Sequence, residues 1–176
     1  MTSLPRPTPE EFNPFYARYL TEASAPHDDV MALLVAQEAQ IAAGGRLGPK
    51  QADHAYGADK WTVKEVLGHL ADAERVFSYR AMRFARNDQT ELPGFDENRY
   101  VPAGGFRSRP IGDVAEELAA VRRATVALYR SMTPEQAAII GNANGSPCTA
   151  RAMAWITAGH FAHHMTILKE RYGVTL

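Results

Sequence analysis

The segment TVKEVLGHLADAERVFSYRAMRFARN, residues 62–87, carries a complete helix signature. Thr62-Val63-Lys64-Glu65 is a capping box, in which hydroxyl and carboxylate each satisfy a free backbone N–H at the helix start. Val66, Leu70, Ala73, Phe77, Ala81 and Phe84 then recur at steps of three and four, an apolar face for a bundle interior. The spacing predicts a helix ending near Asn87. His69 interrupts this face and should point inward.

The C-terminal segment answers it. Thr149 can cap a helix running to Tyr172, with Gly173 as its stop. His160, His163 and His164 lie on it. His160 and His164 are about 40° apart on one face and roughly 6 Å apart along the axis. Met153, Ile156 and Ile167 share that face, so the pair looks inward. This is a spacing at which two imidazoles can grip one metal ion. With His69 from another helix, three imidazoles would hold an ion and leave one position open, a catalytic arrangement. The competing reading is a set of satisfied core histidines without a metal. His163 reads as a rim residue, and His27 and His54 as solvated.

Two more long helices complete the pattern. One runs from about 29 to 43 with Asp28 as cap, Val30, Leu33, Leu34 and Ile41 apolar, and Gln37 a polar exception. Gly44-Gly45 ends it, and 44–60 reads as a linker. The other spans about 111–131, with Val114, Leu118, Val121, Thr125 and Leu128 inward. Residues 1–8 read as an extended arm, Thr8-Pro9-Glu10-Glu11 as a short helix start, and Thr133-Pro134-Glu135-Gln136 as another. Residues 90–110 read as a long irregular loop, on which Tyr100 and Phe106 could cover a pocket. Residues 141–147 read as a turn-rich loop, and no strand is expected. The expected fold is all-α, an antiparallel four-helix bundle in one domain over 1–176.

Composition narrows the function. The net charge of −1 and the missing basic stripe argue against nucleic acid. No apolar run reaches the ~20 residues of a membrane span. One cysteine, Cys148, permits no internal disulfide and reads as a packed small side chain. With no secretory signal, a cytoplasmic protein is expected. Asp72 and Glu65, each a turn from His69, are either orienting carboxylates or solvated ones. Arg75, Arg83 and Arg86 read as surface partners of nearby acids or as an anion-binding edge. Trp61 and Trp155 read as packing.

Several of these segments resemble the DinB-like superfamily, named for DNA-damage-inducible proteins. Lys60 to Leu70, continuing through Asp72 to Arg75, is similar to that family's first metal motif. Gly159-His160-Phe161-Ala162-His163-His164 is similar to its second. Tyr79-Arg80, Arg83 to Arg86, Leu92 to Asp96, Gly141 to Gly145 and Arg171-Tyr172 extend the likeness over nearly the whole chain. The resemblance implies a four-helix bundle, a divalent metal on His69, His160 and His164, and a homodimer. Zinc is expected first and nickel next. It implies no single reaction: some members are transferases or isomerases using a low-molecular-weight thiol, and others resemble metal-dependent hydrolases. The expected function is a metal-dependent transferase or hydrolase acting on a small molecule. The alternative is a non-catalytic metal- or ligand-binding bundle in a stress response.

Overall fold

The structure is a computed structural model that describes residues 4–23 and 27–176. Its long helices are α1 (Val30–Gly44), α3 (Val63–Ala85), α5 (Ile111–Arg130) and α7 (Ala150–Tyr172). Short ones, α2 (Pro49–Ala52), α4 (Glu97–Ala103) and α6 (Pro134–Ala137), sit in the connections. The chain is all-α apart from a hairpin of β1 (Ile140–Ala143) and β2 (Ser146–Thr149). Among the described residues no helix is long and apolar enough to cross a membrane.

The helix ends follow local chemistry. Thr62 accepts from Glu65 N, and Glu65 returns to Thr62 N at 2.7 Å. Thr149 accepts from Ala152 N, and Gly173 stops α7 with φ of 65°. The first long helix is capped by Asp29, not Asp28: its carboxylate accepts from Met31 N and Ala32 N. On α5 the buried residues include Arg122, Val126 and Tyr129. Val121 and Leu128, expected inward, are only part-buried.

The four helices form a ring in the order α1, α5, α3, α7. Residues from the start of α3 share one apolar cluster with the start of α5 and the end of α7. Residues from the end of α3 share the other with the end of α5 and the starts of α1 and α7. Thus α3–α7 and α1–α5 are antiparallel, while α3–α5 and α1–α7 run the same way. Two neighbours that run the same way need a connection returning the full helix length.

Residues 86–110 are that return. They are less irregular than their proline and glycine content suggests, holding α4 and a 3-10 turn at Phe106–Ser108. The segment 141–147 is a hairpin, not a plain loop. Asn144 and Gly145 have φ of 55° and 71°, the left-handed pair a tight two-residue turn requires. Leu92 N donates to Asn142 O and Leu92 O accepts from Asn144 N, pinning the return segment to the hairpin.

The described part of the N-terminal arm is packed on α7. Leu4 is 2% exposed and its carbonyl accepts from Trp155 Nε1 at 3.1 Å. The first three residues of the expected extended arm lie outside the described residues. Beyond the arm come 3-10 turns at Pro9–Glu11 and Pro14–Tyr16 and a single π-type turn, Tyr19–Ala23. The last of these rests on α7.

Candidate metal centre

The antiparallel contact of α3 with α7 sets His69 opposite His160 and His164. Their ring centres form a near-equilateral triangle, with separations of 5.0, 4.9 and 4.7 Å. His69 Nε2 lies 3.1 Å from His160 Nε2. One ligand atom from each of the three can be chosen so that all lie within 4.8 Å of one another, a group that could hold a metal ion. Nitrogens 2.0–2.1 Å from a tetrahedral ion would stand about 3.3 Å apart. His164 Nδ1 is buried with no hydrogen-bond partner. Three converging imidazoles, one with an orphaned ring nitrogen, fit a divalent ion.

The electrostatics favour the neutral rings that ligation requires. Burial pushes His69 down to about 4. Burial also takes His160 well below its ordinary value, helped by the neighbouring His164, His69, His163 and Arg18. His164 is lowered for the same reasons: burial first, then His69, His163 and Arg18. Desolvation disfavours imidazolium, so the lone pairs stay available near neutral pH.

The histidines form one wall of a cavity of about 350 Å³. Trp61 lies 5.0 Å from the His69 ring, Phe77 5.6 Å and Tyr19 5.4 Å from that of His160. Gly159 explains how Tyr19 gets there. A Cβ at 159 would lie 2.1 Å from Tyr19 O, so only glycine lets the π-type turn lie against α7 at this height. His163 lines the cavity, its ring 5.4 Å from Tyr19 and 5.5 Å from His164.

Other expected participants are placed elsewhere. Both Glu65 oxygens are used at the helix start and by Arg107 Nε, 2.8 Å away. Asp72 pairs with Arg75 at 3.3 Å. Neither carboxylate is hydrogen-bonded to His69. Arg75 also meets Glu117, and Arg83 meets Asp88 and Tyr79. Phe106 is buried against Gly68, and Tyr100 is exposed beside Phe95; neither lines the histidine cavity. Phe95 and Glu97 reach it instead. Cys148 is buried and, by that burial, raised to about 12. His27 and His54 are exposed.

Sequence reasoning missed Tyr19, Arg80 and Phe95 as cavity walls and took Trp61 for simple packing. Only the helical register of Phe77 and Arg80, two and three turns beyond His69, pointed to this space. The N-terminal turns carry no periodic signal.

Comparison with known proteins agrees with this architecture. The solved structure of YfiT from Bacillus subtilis, described as "a probable metal-dependent hydrolase with an unusual four-helix bundle topology", superposes with a TM-score of 0.68 at 18% identity. The match covers 97% of this chain and 95% of that one, and it is a likeness of fold. No curated protein matches. The family model of the DinB superfamily matches residues 32–168. That span takes in α3 and α5 whole, most of α1 and α7, and the three converging histidines, and the chain belongs to the DinB superfamily.

Proposed function

We propose that the protein is a metal-dependent enzyme acting on a small molecule in the 350 Å³ cavity. The observation that carries this reading is the meeting of His69, His160 and His164 at the cavity wall. Three protein ligands leave a coordination position for a reactant. Zinc is the first candidate and nickel the second. When bound, a divalent ion supplies a Lewis acid and a means of forming a nucleophile at neutral pH. The chain's own part is to keep three imidazoles neutral and oriented, and to wall them with Trp61, Phe77 and Tyr19 against bulk water. A hydrolase and a thiol-linked transferase both fit; the likeness to YfiT, a probable metal-dependent hydrolase, supports the first. A homodimer is the expected assembly.

Metal titration is the first test. Metal-free protein should take up one Co²⁺ or Zn²⁺ per chain, followed by the visible spectrum of Co²⁺ and by competition. Alanine at His69, His160 or His164 should each weaken binding by more than about a hundred-fold, beyond what loss of an outer partner costs. Uptake unchanged in all three variants, or no uptake, overturns the proposal. Turnover is then sought with ester and amide substrates and, separately, with electrophiles plus a thiol donor. A fully loaded protein inert in both would favour the non-catalytic bundle.

A further inference from the structure

The cavity has a second polar end. Arg80 follows His69 by eleven positions on α3. At about 100° and 1.5 Å per residue, the two side chains leave the helix within ~20° of each other and roughly 16 Å apart. Both line the same cavity.

Arg80 is only 3% exposed, yet none of the ion pairs among the described residues includes it. Its Nη2 donates to Pro93 O at 2.8 Å, and the Tyr16 hydroxyl lies beside it. The other deeply buried guanidinium, Arg122, is treated differently by the fold. It is fully buried and doubly bonded to the Glu74 carboxylate, at 2.8 Å for each contact. A guanidinium does not deprotonate. Burying one without a counter-charge is unfavourable, and a fold that keeps it so at a cavity wall holds a place for an anion from outside.

Shape and charge narrow the anion. With Nη2 turned to Pro93 and the Tyr16 hydroxyl beside the fork, the donors that remain suit a planar carboxylate. Arg18, Arg80 and Glu97 are the lining's charged side chains, a net of one positive charge that suits a singly charged anion better than a doubly charged phosphate monoester. Phe77 stands between the ends, its ring 5.6 Å from that of His160 and 6.4 Å from that of Tyr16, and Phe95 also lines the cavity. We infer that the cavity takes an elongated monocarboxylate with an aromatic or apolar body, its carboxylate on Arg80 and its far end presented to the three histidines. This rests on the metal-site reading for its chemistry, though not for the docking itself.

The test uses full-length protein, both metal-free and Zn²⁺-loaded. Probes are benzoate, phenylacetate and 3-phenylpropionate, their neutral amides, and phenyl phosphate, with binding read by calorimetry. The longest acid should bind best, and roughly ten-fold more tightly than its amide, the expected worth of a charge-assisted pair. The preference should persist without metal, disappear in Arg80→Gln and be partly kept in Arg80→Lys. Circular dichroism and Co²⁺ uptake of each variant should match wild type. Equal binding of acid and amide, no acid binding, a preference for phenyl phosphate, or a preference lost on metal removal would overturn the inference. If Arg80→Gln does not fold, the wild-type acid–amide comparison and Arg80→Lys still decide. Failure of the metal site would show in the titration alone, and failure of the carboxylate dock in the metal-free binding alone.

Discussion

At Gly159 the missing side chain sets the distance between two parts of the site. The Tyr19 carbonyl oxygen occupies the place a Cβ would take, 2.1 Å from it, and the obstacle is backbone. Gly159→Ala should therefore push the π-type turn away from α7, costing about 1–3 kcal/mol as overpacking does. Urea denaturation checks this. Because Tyr19 walls His160, the variant should also show faster modification of that histidine by diethyl pyrocarbonate, followed by mass spectrometry. Unchanged stability and unchanged reactivity would show that the turn does not depend on this contact. The residues legible beforehand were those on regular faces: His69, His160 and His164 stand out because polar rings break an apolar helical rhythm. Tyr19 and Trp61 precede or interrupt helices, where no rhythm exists to break, and only the folded chain brings them to the cavity.

The N-terminal 3-10 turn at Pro9–Glu11 is held through one side chain. Glu11 accepts from Arg151 Nε at 2.6 Å, Thr149 Oγ1 at 2.8 Å and Thr8 N at 2.9 Å. Burial alone would raise its carboxyl; the bonds from Arg151, Thr8 and Thr149 outweigh that, and the net shift is downward. The unfolded chain then binds a proton at a higher pH than the folded one. Its contribution to stability is complete above the ordinary carboxylate range and is lost as pH falls through the lowered native value, at no more than about 1.4 kcal/mol per pH unit. Glu11→Gln should remove that part of the acid slope, measured by urea midpoints between pH 7 and pH 3. An unchanged slope would mean the turn is held by packing. Elements of this kind were half legible. Thr8, Thr62, Thr133 and Thr149 announced their helix starts through side-chain chemistry. The hairpin did not, because each strand is four residues long and they carry Gly141 and Pro147, which speak against a strand.

The whole bundle meets at Arg122. From α5 it reaches Glu74 on α3, and Leu34 O and Gln37 Oε1 on α1, while Gln37 Nε2 donates to Ala158 O on α7 at 2.9 Å. All four long helices are joined by this chain of bonds. Arg122→Met removes the cation and leaves Glu74 buried without it, a loss expected at about 3–5 kcal/mol. Glu74→Leu added to Arg122→Met should recover much of that, in urea or thermal melts. A single variant as stable as wild type would show the network to be idle. The helices themselves were legible from period and caps, yet their order around the ring was not. An antiparallel bundle suggests strict alternation of neighbours, and nothing local says that residues 86–110 carry the chain back so that α5 runs beside α3 in the same direction. Gln37 showed the difficulty in small: a polar break in an apolar face is informative only once its partner is known.

His69 and His160 stand 91 positions apart yet nearly touch. A nascent chain on the ribosome therefore exposes a solitary imidazole on α3 throughout the synthesis of α4 to β2, and one imidazole grips ions poorly. The three-toothed claw comes into being only as α7 emerges and docks. Any ion that needs all three must therefore wait until nearly all of this sequence has been translated.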